Sequence, residues 1–211
     1  DETELLGINS KKDLANVAKI LKDKVIDNLL ENGVTIYDKN TTWISPFTEI
    51  EPDTIILPNV YINGKNKIGK NCKIGPFSHI RGNVEIGNNV KIGNFVELKN
   101  AKVKSNTNIC HLSYVGDSEI GENVNIGAGT ITANYNSITK EKKKTIIKNK
   151  ASIGSNTVLV APVCVGENAM VGANSTVTND VEENSLYVTR AKEKVVKDYV
   201  KVKQENMEGI K

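Results

Sequence analysis

Aromatic side chains are scarce in this chain. One Trp, six Tyr and three Phe make up 5% of its 211 residues, so a core has to be built from aliphatics. Cysteine is also sparse, with Cys72, Cys110 and Cys164 scattered and odd in number. That excludes a disulfide scaffold and a cysteine-type zinc site, and it suits a reducing compartment. Only two histidines are present, His79 and His111, too few for a three-histidine metal centre. Long apolar runs are missing as well. The longest, Val158 to Val165, has eight residues and holds a proline, far from the roughly 20 that span a bilayer. No signal peptide opens the sequence, so a cytoplasmic protein without a membrane partner is expected. The net charge of +3 is too small to argue for nucleic acid.

What is present is a repeat. Aliphatic residues recur every six positions at Ile44, Ile50, Ile56, Ile62, Ile68, Ile74, Ile80, Ile86, Ile92 and Leu98. A five-residue step leads to Val103, Ile109 and Val115, and a second to Ile120 and Ile126. The register resumes over Ile147, Ile153, Leu159, Val165, Val171 and Val177, giving 21 hexads. A period of six fits neither a helix nor simple alternation. It fits short strands joined by tight corners, each strand sending one large side chain inward. Asn71, Asn88, Asn89, Asn123 and Asn168 stand at such corners, where asparagine tolerates left-handed backbone.

Outside the repeat, Leu14, Val17, Ala18, Leu21, Val25 and Leu29 share a helical face, and Ser10 with Asp13 resembles a capping box. A helical packing arm over residues 11–31, stopped by Gly33, is expected. After Val177 the register ends. Residues 193–205 fit either an amphipathic helix or a solvated tail. Asn134 to Lys144 interrupts the repeat as a polar, lysine-rich loop extruded from the scaffold.

The hexads resemble the hexapeptide-repeat family, whose fold is a left-handed parallel β-helix with three hexads per coil. The resemblance implies an all-β solenoid of about seven coils, on the order of 33 Å long at strand spacing, with an N-terminal helical arm. Longer segments narrow it: Ile74-Gly-Pro-Phe-Ser-His-Ile-Arg81, Ile92-Gly-Asn-Phe-Val-Glu-Leu-Lys99, His111-Leu-Ser-Tyr-Val-Gly-Asp117 and Gly121 to Tyr135. Over about residues 1–190 these are similar to the acetyltransferase domain of the bacterial bifunctional N-acetylglucosamine-1-phosphate uridyltransferase/glucosamine-1-phosphate acetyltransferases. The implied domains are 1–33, the end of a nucleotidyltransferase domain with its linking helix; 34–190, the β-helix; and 191–211, a Lys-rich tail. The implied reaction moves acetyl from acetyl-CoA to the 2-amino group of glucosamine 1-phosphate, in a homotrimer with sites between adjacent prisms.

The resemblance also assigns residues. His111 matches the base, and an imidazole suits that task near neutral pH. Arg81 and Lys99 match sugar-phosphate ligands. They stand eighteen residues apart, one coil, so they should share a corner of adjacent coils. Tyr114 and Asn125 match further sugar contacts. A loop lysine falls on Lys140 or Lys142, depending on the end from which the longer loop is counted. Asn134 and Tyr135 match residues near the acetyl and pantetheine end, and Ala128, Ser155, Ala173 and Arg190 match the acetyl-CoA positions. His79 matches no catalytic position. Asn9 matches a residue that binds Mg²⁺ for uridyl transfer. Its aspartate partner is missing, so that activity is expected to be absent. Gly82 stands where the family usually has proline, and against the family the prism is about two coils short before Ile68. An acetyltransferase for another amino or nucleotide sugar, and a structural trimer without activity, are the competing readings.

Overall fold

The computed structural model describes residues 6–189 and 192–208. The six-residue spacing becomes a stack of strands two to four residues long, each with one inward side chain. Ile56, Ile74, Ile92, Ile109, Ile126 and Ile153 follow one another in parallel register up one side. The chain visits a first, a second and a third face in turn, which gives parallel sheets of nine, eight and seven strands. Most inward isoleucines are fully buried, from Ile56 to Ile153. Each contributes about 1.5–3 kcal/mol of burial, which is how a chain poor in aromatics holds together. The three cysteines are free.

The class is the one expected, a three-sided parallel β-helix, but the turns number about eight rather than seven. Both additions lie where the spacing breaks. Ile36 comes eight residues before Ile44 and pairs with Ile56. At the other end the register does not stop at Val177: Val181 bridges to Val165 and Tyr187 pairs with Val171. Thr132 is a further inward position hidden by its polarity. It lies in the strand Ile131–Ala133 and is buried. Its hydroxyl accepts from the Gly116 amide at 2.8 Å and reaches the Gly116 carbonyl at 3.1 Å, substituting for a backbone rung. Thr132→Val should therefore leave a buried N–H unpaired and lower unfolding stability by about 1–3 kcal/mol. Urea titration at unchanged slope would show it, and equal or higher stability would mean the hydroxyl is dispensable.

Corners behave as their asparagines suggest. Asn71, Asn89, Asn123 and Asn168 all have positive φ. Asn88 does not; its Oδ1 instead accepts from the Lys70 amide at 2.9 Å, tying two coils together.

Helix α1 spans Lys11–Glu31. Ser10 caps it by accepting from the Asp13 amide at 3.1 Å, while Asp13 accepts from the Asn9 amide at 3.2 Å. The buried residues are Lys22, Ile26 and Leu29, all in the second half, which lies on the first coil. Leu14 and Leu21 of the expected apolar face are exposed instead. The Lys22 amine donates to the Lys39 carbonyl at 2.8 Å and sits 5.4 Å over the Trp43 ring. A second helix, α2, spans Tyr199–Glu208. No helix among the described residues is long and apolar enough to cross a membrane.

The three faces differ outside. On the third, Glu49, Lys67, Glu85, Lys102 and Glu119 stack with alternating charge, with Lys102 and Glu85 at 3.2 Å. Such exposed pairs add little stability but mark a wet surface. The second face instead carries Trp43, Tyr61, His79, Glu97 and Tyr114 in one outward row.

Candidate active site

Parallel stacking turns sequence spacing into columns, and two columns collect the residues of interest. The first runs along the corner between the first and second faces, two places after each inward residue of the first. There Asn94 pairs with His111 in register. Backbone hydrogen bonds continue the column: Leu112 donates to the Asn94 carbonyl, Gly129 to His111, Asn156 to Ala128, and Asn174 to Ser155. Asn94, His111, Ala128, Ser155 and Ala173 therefore line one edge, coil above coil. Above His111 the column holds only small side chains, which leave the backbone open to an extended ligand.

His111 ends the strand Asn108–His111 and its side chain is exposed. Its Nδ1 lies 2.8 Å from Asn94 Oδ1. Ser113 Oγ donates to the His111 carbonyl at 2.8 Å and fixes the backbone beneath the ring.

The second column runs up the second face. Arg81 and Lys99 are register neighbours, as their eighteen-residue separation implied. The Arg81 guanidinium is paired: its Nε donates to Glu97 Oε1 at 2.6 Å. Lys99 is pushed below the ordinary lysine pKa, first by Arg81 and then by Lys142, with Asp117 opposing. Lys142 is thus the loop lysine that reaches this cluster. Lys140 sits at the turn of the loop, with φ of 61°. Tyr114 lies one coil above Glu97, and its hydroxyl lies over Gly116, the register neighbour of Lys99; a methyl group at Gly116 would run into it.

The interruption is an ordered hairpin. Tyr135 bridges Lys142 in antiparallel fashion, and the Asn136 amide donates to the Glu141 carbonyl at 2.9 Å. Asp117 holds its root, because its carboxylate accepts from the Asn134 amide group and its carbonyl accepts from the Thr145 N–H. Asn134 is buried there, while the Tyr135 ring is exposed.

Several residues lie apart. Asn125 is on the first face, paired with Asn108 and Ser152, away from the cations of the second. Arg190 lies outside the described residues. Asn9 stands before α1, and no group of three or more His, Cys, Asp or Glu among the described residues is placed to hold a metal. His79 packs against Tyr61, its Nε2 3.1 Å from Asn63 Oδ1; burial pushes its pKa down, with Glu97 opposing and Arg81 adding to the drop. Asn94, Glu97 and Asp117 were missed by sequence reasoning. Asn94 and Glu97 each stand seventeen residues before a flagged residue, His111 and Tyr114, so counting one coil back would have found both. Clefts of about 260 and 250 Å³ lie elsewhere, on the third face and between α1 and the second face.

The corner beside His111 is also unusually apolar outside. Phe77 and Phe95 stack with ring centres 5.3 Å apart, and Leu112 continues the row. They are 51%, 55% and 61% exposed and all have positive φ.

Comparison with known proteins agrees with this architecture. The bacterial transferase hexapeptide (six repeats) family matches residues 67–100 and 144–179. The "Bifunctional protein GlmU" of Thermodesulfovibrio yellowstonii is 42% identical over 238 residues, covering 97% of this chain and 52% of the relative. That of Thermotoga maritima is 41% identical, covering 95% and 52%. The chain spans about half the length of these curated relatives. The alignment with the first is longer than the 211 residues here, so the relative carries positions this chain lacks. Among solved structures, the UDP-N-acetylglucosamine acyltransferase of Francisella novicida shares the fold, at a TM-score of 0.56 and 20% identity over 74% of this chain and 63% of that one. By their repeat, their three-sided stack and these matches, residues 67–100 and 144–179 carry the bacterial transferase hexapeptide repeat.

Proposed function

We propose that the chain is an acetyl-CoA-dependent N-acetyltransferase acting on glucosamine 1-phosphate, in the synthesis of UDP-N-acetylglucosamine and cell-envelope precursors. One observation carries the reading. An exposed imidazole heads a column of small residues on one edge, and three cations, Arg81, Lys99 and Lys142, converge on the adjoining face. The column suits a pantetheine arm lying along Ala128, Ser155 and Ala173; Asn134, Tyr135 and Arg190 join the acetyl-CoA set through the resemblance alone. The cations suit a sugar phosphate, with Tyr114 beside it.

In this reading the free amine attacks the thioester carbonyl carbon. The new C–N bond forms, the C–S bond breaks, and the amine proton passes through His111 Nε2 to the departing CoA sulfur. No metal takes part. Residues 1–33 are read as the link from a nucleotidyltransferase domain, 34–190 as the catalytic domain and 191–211 as a tail. A cytoplasmic homotrimer completes the proposal. The exposed row Phe77, Phe95 and Leu112, and the placement of Asn125 on a different face from Arg81, both favour sites shared between copies.

The test is thiol release from acetyl-CoA with and without glucosamine 1-phosphate. Release that requires the sugar phosphate is expected. Release with amino sugars irrespective of the phosphate would replace this acceptor, and none from an assembled trimer would exclude the reaction.

A further inference from the structure

We propose that Asn94 is a positioning residue that fixes the tautomer and direction of the His111 ring. The inference rests on reading His111 as the base. Asn94 Oδ1 can only accept a hydrogen bond, so its 2.8 Å contact places the proton on His111 Nδ1. The lone pair of the neutral ring is then on Nε2, the nitrogen turned away from the coil below. A ring with the opposite tautomer would present an N–H to the amine and have nothing to take a proton with.

The geometry leaves Asn94 little choice. It ends the strand Lys91–Asn94 in register with His111, and the Leu112 amide donates to its carbonyl at 3.0 Å, so the two side chains leave the corner side by side. Small residues fill this column in the three coils above. Of the strands flanking Asn108–His111, Lys91–Asn94 carries one titratable side chain, Lys91, at its far end, and Asn125–Ile126 carries none. A neutral amide thus sets the tautomer without adding a charge that would hold the proton on the imidazole.

Two measurements test this. The chain has only two histidines, so long-range proton–nitrogen correlation can read each ring. The neutral His111 ring is expected as the Nδ1–H tautomer, moving toward Nε2–H in Asn94→Ala. In kinetics, Asn94→Ala should lower kcat about ten- to hundredfold with KM for both substrates little changed. Asn94→Asp keeps the shape and adds a negative charge; it should retain more activity than Asn94→Ala and move the acid limb of the pH profile up by about one unit. An Nε2–H ring in the unmodified protein overturns the proposal. So does kcat within twofold in Asn94→Ala, or an Asn94→Asp profile that superimposes on the parent. If His111→Ala itself remains active, the base reading falls, while the tautomer still decides whether Asn94 orients the ring.

Discussion

Replacing His111 with alanine is expected to cut turnover by roughly 10² to 10⁴, the usual contribution of a positioned general base. The loss should fall on kcat, because the ring touches the proton being moved rather than the groups that anchor either substrate. Stability should stay within about 0.5 kcal/mol of the parent, since the side chain is exposed. Steady-state kinetics beside a denaturant titration would separate the two effects. A folded variant with near-normal turnover would remove His111 from the chemistry and leave a neutral amine deprotonated by solvent as the reactive species.

The second large effect belongs to the cation pair. Arg81→Ala or Lys99→Ala should each lower kcat/KM for the phosphorylated acceptor roughly ten- to hundredfold, the range of one charge-assisted hydrogen bond. Together they should cost less than the product of the single losses, because both act on one phosphate. The cluster gathers three like charges. Lys99 is held below its usual pKa by Arg81 and Lys142, and a dianion between them would reverse that push. Arg81 starts from an ion pair with Glu97, so part of its contribution is spent on exchanging a carboxylate for the phosphate. The informative control is an amino sugar without the phosphate. Equal losses on both acceptors would show that the pair shapes the fold of the face instead of binding an anion.

Much of this was legible in the residues because the fold is periodic. One inward aliphatic every six places reveals the strands, and eighteen-residue separation alone places Arg81 beside Lys99. What stayed hidden has two physical causes. Where a turn loses or gains residues the period breaks, so Ile36, Val181 and Tyr187 went uncounted. Where a polar side chain does an aliphatic's job, as Thr132 does by satisfying Gly116, a hydrophobic pattern passes over it. The candidate site was legible only through the resemblance, apart from the eighteen-residue spacing of Arg81 and Lys99. Asn94 and Glu97 are ordinary surface residues until stacking sets them one coil below His111 and Tyr114. That Lys142 comes near Lys99 depends on how the hairpin folds back, which no count along the chain supplies.

The placement of α1 has a consequence of its own. A stack of parallel rungs is a lattice in one dimension, and nothing within a rung tells it to be the last. Its first layer presents an unpaired edge to any strand that drifts by. Ile26 and Leu29 close that edge by seating a helix where another rung would nucleate. Above this cap the lattice is free in length. Whole rungs added or lost below Arg81 would lengthen or shorten the rod and leave every spacing around His111 as it was.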